Sequence, residues 1–402
     1  MKMRRTIIAA TVASALILTG CAAGGGGEGS SDSVVIGASI PLTGALAGFA
    51  PLIQSGYEDA VAQVNDAGGI EIDGTQRQVE LVVLDNKSDS TTAGEQARSL
   101  ILENDAVALL GSVSPPLNIP MSNVAELEKV PFITSLTPTR AWRGANADGW
   151  SYAWDIFFDE EQMTELQFTT SDLVETNKKV ALFTDNEEDG ITMGGLWEQK
   201  APKFGYEIAS RAEFPVGTSD YTSFINDAKS ADADVVIAQM TPPDAFALWK
   251  QMKALGFVPE VVFCEKCGAT GAFQTELGET AEGTTTTDYL RADNDETTRV
   301  VDAFVGELGD NIDLSNLIMA QTAAAVMLAA IADAGSTDPE AINEAIGATD
   351  GEFSGGAISF NDENVADITP VSAQWQGTSM VEVNPETDTS GALQAPVAGL
   401  QR

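Results

Sequence analysis

Histidine is absent from all 402 residues of the chain. That excludes Ser-His-Asp and Cys-His catalysis, HExxH zinc sites and most catalytic zinc sets, which need imidazole as base or ligand. Basic residues are scarce: 21 Lys and Arg stand against 60 Asp and Glu, a formal charge of −39. Such a polyanion repels nucleic acid and anionic lipid, so no nucleic-acid partner is expected; the excess acid suits solubility in an ion-rich envelope. The sequence has no G-x-S-x-G and no S-x-x-K motif, and its one glycine-dense stretch, within Ala22 to Ser33, opens no helix. On these grounds we expect no enzyme activity, no cofactor and no metal site. Beyond the N-terminus no charge-free apolar run approaches the roughly 18 residues of a membrane span. Ile318 to Ile331 comes nearest and is followed by Asp333.

What is present begins with an export signal. Lys2, Arg4 and Arg5 form a basic start, and Ile7 to Leu18 is an apolar core too short to span a bilayer. It ends at Leu18-Thr19-Gly20-Cys21, which resembles the lipobox of bacterial lipoproteins. The resemblance implies cleavage before Cys21 and acylation of that cysteine, with two or three acyl chains giving a stable anchor. The alternative is an ordinary secretory signal with an incidental cysteine. Residues 1–21 are thus read as signal peptide and 22–33 as a flexible Gly/Ser leash. Removing residues 1–20 takes away three positive charges and leaves −42.

From Val34 onward, short β-rich runs alternate with amphipathic helices. Val34 to Ala38, Val79 to Val83, Ala106 to Leu110 and Pro131 to Thr134 read as strands; the intervening apolar residues recur at helical spacing. The cycle restarts with strands at Val180 to Thr184, near Ile208, at Val235 to Ala238 and at Val261 to Phe263. Helices are expected over Arg299 to Leu308, Ser315 to Ala334 and Pro339 to Ile346, and closing strands of the second lobe at Gly356 to Phe360 and Val371 to Trp375. The alternation predicts an α/β fold of two doubly wound, Rossmann-like lobes joined by a multi-strand hinge, with a cleft between the strand C-terminal edges. The expected lobes are 34–153 plus 286–352 and 154–285 plus 353–402.

Pro41-Leu42-Thr43-Gly44, Gly48, Gly56, Asn65 and Ala67 to Ile70 resemble the opening of type I periplasmic binding proteins of the leucine/isoleucine/valine-binding group. The likeness continues through Leu84-Asp85, Gly111-Ser112, Val130 to Ile133, Asp159, Gln162, Gly190, Asp234 to Val236, Leu255 to Phe257 and Ala281 to Gly283. It implies a protein that closes around a small molecule and docks on the permease of an ABC importer. It also implies where the ligand sits. The serine that grips a ligand carboxylate in amino-acid binders is Pro115 here, with Ser112 and Ser114 just before it. Ser135-Leu136-Thr137 matches a backbone-plus-threonine clamp if one residue is deleted. Phe49 falls at a covering aromatic, Gln239-Met240-Thr241 replaces an aromatic pair, Glu265 lies near an ammonium-accepting glutamate, and Asp189 replaces an aromatic. Each residue also has a plainer reading. Ser112 and Ser114 could cap the following helix, Thr137 could brace the turn at Pro138, Phe49 could pack the lobe and Met240 could be core.

Two short motifs leave alternatives open. Cys264-Glu265-Lys266-Cys267 reads as a disulfide in an oxidising compartment, with a thioredoxin-like redox motif or a metal site as the other readings. Asp185 to Gly190 matches the first half of an EF-hand loop but has Leu196 where the twelfth-position glutamate is needed, so a solvated acidic turn competes with calcium. The same acids, Asp189 foremost, could face a cationic ligand. For function, solute capture of an amino acid or related small polar molecule leads. An envelope sensor or scaffold and uptake of an amide or aromatic compound follow.

Overall fold

The computed structural model describes residues 33–309, 311–385 and 391–402; the signal peptide, Cys21 and the leash up to residue 32 lie outside the described residues. Two main sheets organise the chain. In the first, the spatial order is Val365–Ala366, Ala153–Ile156, Phe132–Thr134, Ala108–Leu110, Val34–Ile40, Val79–Asp85, and every pair is parallel. Val34–Ile40 is buried at every residue because helices cover both faces of a parallel sheet, which is why it reads as an apolar run rather than an alternation.

The second sheet runs Ser379–Glu382, Pro370–Gln376, Thr284–Tyr289, Val261–Glu265, Val235–Gln239, Lys179–Asp185, Glu207–Phe214. Its last five strands are parallel; the first two pair antiparallel at one edge. Strand order reverses direction beside Val34–Ile40 in one sheet and beside Lys179–Asp185 in the other. Loops leaving neighbouring strands diverge at such switch points and leave a crevice at the strand C-termini. At that edge stand Phe49 and Ser114 in the first lobe, and Asp189, just inside a helix, and Gln239, the last residue of its strand, in the second.

Helix Ala50–Asp66 packs on the long apolar helix Ile312–Ala334, and Gly56 makes the approach possible. A Cβ there would lie 2.7 Å from Leu317 O and 2.8 Å from Gln321 N, both backbone atoms that cannot step aside. In an exposed helix Gly→Ala stabilises by roughly 0.5–1 kcal/mol. Here the sign should invert: Gly56→Ala is expected to cost ~1–3 kcal/mol through overpacking, read as a lower urea midpoint at unchanged m-value.

The closing segments differ from expectation in two places. Gly356–Ser359 does not join the second sheet; it folds back on Asp350–Phe353 as a two-stranded ribbon. The cause is local: Phe353 pairs with Gly356, so only Ser354 and Gly355 form the turn, and Gly356 has φ +105. Val365–Ala366, in the stretch expected within the second lobe, pairs with Asp155 and Ile156 and extends the first sheet. The first sheet's Ala153–Ile156 likewise runs past the expected boundary at 153.

Candidate functional site

A cavity of about 70 Å³ lies between the facing strand edges. Phe49, Ser114 and Leu136 line it from the first lobe; Asp189, Glu265 and Lys266 line it from the second. Five of the nine residues expected at the site therefore meet here. The other four stand elsewhere. Ser112 donates its backbone N–H to Asn118 Oδ1 at 2.7 Å and accepts from Asn86 Nδ2 at 3.3 Å. Thr137 Oγ1 accepts from Asn118 Nδ2 and lies 3.1 Å from Thr134 Oγ1. Ser135 is buried outside the cavity lining, and Met240 belongs to the second lobe's apolar core. Asn118, one turn into its helix, thus knits the loops after two strands into a rigid backing.

Ser114 occupies the N-cap position of helix Pro115–Glu128 but makes no capping bond. Its φ of 67 and ψ of 145 lie in a region few residues other than glycine adopt, a strain of about 1–3 kcal/mol. Pro115 contributes by barring the residue before it from helical torsions. The backbone N–H of Ser114 donates to Leu136 O at 2.8 Å, and its hydroxyl crosses the cleft to donate to Asp189 Oδ2 at 3.1 Å.

Asp189 is the centre of the second wall. It sits in the first turn of helix Glu188–Lys200, where the macrodipole favours an acid. That helix starts inside the acidic segment, so Asp185 to Gly190 is neither an EF-hand loop nor a solvated turn: Asp185 and Asp189 are buried. Their cation comes from within the chain. Lys266 Nζ lies 3.0 Å from Asp185 Oδ2, 3.2 Å from Glu187 Oε2 and 3.0 Å from Asp189 Oδ2. The expectation that Asp189 awaits a ligand cation is corrected accordingly. Burial pushes the Asp189 carboxyl up, but Lys266 and the hydrogen bonds from Gln239 and Ser114 outweigh it and hold it below the usual range. Asp185 goes the other way, raised by burial and then by Asp189 and Glu187, against the pull of Lys266.

Lys266 is placed by the Cys264–Cys267 disulfide, which closes a tight loop at the end of strand Val261–Glu265. Within it Cys267 N–H donates to Glu265 O at 2.6 Å and Gly268 N–H to Cys264 O at 3.0 Å. Lys266 itself takes φ +60, a left-handed turn that swings its side chain to the acids. Neighbouring Glu265 accepts from Gln167 Nε2 at 2.8 Å and from Thr287 Oγ1 at 2.9 Å and N–H at 3.2 Å. Burial nevertheless pushes its carboxyl up to about 7. Asp288 is likewise raised by burial, to about 6. Lys266, Thr287, Asp288 and Tyr289 were missed as site residues. A signal existed: Gln239 and Glu265 end adjacent parallel strands in register, so whatever follows them shares one edge.

The family model for periplasmic binding proteins matches residues 33–372, and the chain belongs to that family, in its type I Leu/Ile/Val-binding group. It is a solute-binding protein of ABC transporters and not an enzyme. A "Leu/Ile/Val-binding protein homolog 7" of Brucella melitensis is 24% identical over 98% of this chain and 100% of its own length. Among solved structures, the leucine-binding protein LivK of Thermotoga maritima has a TM-score of 0.76 at 23% identity, covering 88% of this chain and 99% of its own. A solute-binding protein of Rhodopseudomonas palustris, solved with benzoate, has a TM-score of 0.75 at 17% identity, covering 91% of this chain and 99% of its own. At these identities the solved structures speak for the fold.

Proposed function

We propose that this chain captures a small polar molecule, an amino acid or a chemically related compound, in the cleft between its lobes and presents it to an importer permease while held on the membrane by lipid at Cys21. The observation that carries the capture site is the cavity itself, at the switch points of both sheets, with Ser114 and Asp189 meeting across it. The lobes are taken as 34–153 plus 286–352 and 154–285 plus 353–402, apart from the strand ends described above. A second reading, an aromatic or amide solute, is favoured by Phe49, Phe157 and Phe158 in the wall.

The test is a thermal-shift screen of the purified mature chain against amino acids, amines, amides and aromatic acids. Ligand at about 100 times its dissociation constant adds about 2.7 kcal/mol and a clear rise in Tm. A screen without a single stoichiometric binder would remove the reading, and turnover of a bound compound would revive an enzyme. The anchor is tested separately. Cys21→Ser should release the protein from the membrane fraction into the medium, and a variant that stays membrane-bound would disprove lipid attachment there.

A further inference from the structure

Two atoms of residues that line the cavity are buried without a hydrogen-bond partner: Gln239 Oε1 and the Tyr289 hydroxyl, near the Met319 backbone. The first can only accept. Its orientation follows from Asp189, whose carboxylate receives Gln239 Nε2–H at 2.8 Å, so the carbonyl oxygen is the free end of the amide. A buried acceptor left unmade is costly, and a donor on the solute removes that cost.

Charge points the same way. Asp189, Glu265 and Asp288 line the cavity, and Lys266 is the cation among its lining residues. Lys266 already lies 3.0–3.2 Å from three carboxylates, so a ligand anion would have to compete with the protein's own acids for it. Glu265 receives hydrogen bonds from Gln167 and Thr287, but no ion pair reaches it among the described residues. The N-terminus of helix Pro115–Glu128 offers an anion little, because Pro115 and Pro116 begin it and carry no N–H. The Ser114 hydroxyl and N–H are committed to Asp189 and Leu136. Around these polar groups the wall is apolar, with Phe49, Leu136, Phe157, Phe158, Met163 and Ile312.

On the cleft reading given above, we infer that the solute is a small protonated amine with an apolar body and no carboxylate, its N–H groups received by Gln239 Oε1, Tyr289 and Glu265. A carboxylate on the same molecule would meet acids and a lysine already ringed by three of them. Three probes with one branched apolar body separate the possibilities: isoamylamine (amine alone), leucine (amine and carboxylate) and 4-methylpentanoate (carboxylate alone).

Titration calorimetry of the mature, disulfide-intact chain at pH 7 should show isoamylamine binding at least tenfold more tightly than leucine, and no heat from 4-methylpentanoate. Glu265→Gln should weaken isoamylamine tenfold or more. Tyr289→Phe, which removes one oxygen and preserves the ring, should weaken it several-fold without loss of folding. Tighter binding of leucine or of 4-methylpentanoate overturns the amine assignment while leaving solute capture intact. Failure of isoamylamine to bind also overturns it, and the broader screen then judges capture on its own. Unchanged isoamylamine affinity in both variants removes the proposed contacts.

Discussion

Lys266→Met is expected to cost about 3–5 kcal/mol of folding free energy at pH 8, the usual penalty for removing one partner of a buried charge cluster. The ammonium is 5% exposed and faces Asp185 and Asp189, themselves buried, with Glu187 at the rim. Methionine fills a similar volume, so the loss is one of charge rather than packing. The pH dependence has a definite sign. In the parent, Asp189 is held below its ordinary pKa, so its contribution is present above the unfolded value and fades as pH falls through the lower folded value. Without the lysine, burial and mutual repulsion raise the acids, and a carboxyl raised in the folded state loses stability as pH climbs. The gap between parent and variant should therefore widen from pH 5 to pH 8. Urea unfolding at both values measures it, and a difference below about 1 kcal/mol at pH 8 would show that the cluster is solvated in solution.

The opposite substitution is expected at Asp155, where losing a charge-bearing group should stabilise. Asp155 lies in the first-sheet strand Ala153–Ile156, fully buried, with neither carboxylate oxygen hydrogen-bonded. Burial raises its pKa well above the usual range, and Glu160 adds to the rise, with a smaller push from Asp367 and an opposing pull from Arg143. Glu160 is itself pushed up to about 7 by burial, although it accepts from the Arg140 and Ala141 amides. An acid of this kind contributes fully below its unfolded pKa and loses ground as pH rises toward the folded value. Asp155→Leu, close in volume, should gain ~1–3 kcal/mol at pH 8 by removing an unsatisfied polar group. The gain should shrink as pH falls to about 3, below the unfolded value of 3.8, where the parent residue is mostly neutral in both states. A variant less stable than the parent at pH 8 would mean that Asp155 has a partner worth keeping.

Much of the fold was legible because buried parallel strands announce themselves. Val34 to Ala38, Val180 to Thr184 and Val235 to Ala238 are almost wholly apolar, and all three lie within strands as expected. The error at Gly356 to Phe360 came from reading a short β-rich run without its turn: the pairing partner lay just upstream, and Ser354-Gly355 closed the hairpin first. The site was harder. Phe49, Ser114, Leu136, Asp189 and Glu265, expected through resemblance, line the cavity, yet the cation that organises the second wall was hidden inside a motif read only for its cysteines. A charge's partner depends on backbone direction at one residue, and the left-handed turn at Lys266 leaves no mark in composition or periodicity. Ser114 kept two readings open for the same reason, since nothing in its sequence position separates a capping hydroxyl from one that spans a cleft.

That spanning hydroxyl bears on how the importer tells a loaded receptor from an empty one. A permease senses closure, and closure is an equilibrium that any contact between lobes can tilt. A hydrogen bond to a carboxylate contributes about 1.5–3 kcal/mol, roughly a ten- to hundredfold bias toward the shut form before any solute contributes. The Ser114–Asp189 bond therefore lends part of the closing force to every solute alike, raising affinity across the board while leaving the ratio between right and wrong cargo unchanged. Discrimination is left to the groups the bond does not touch.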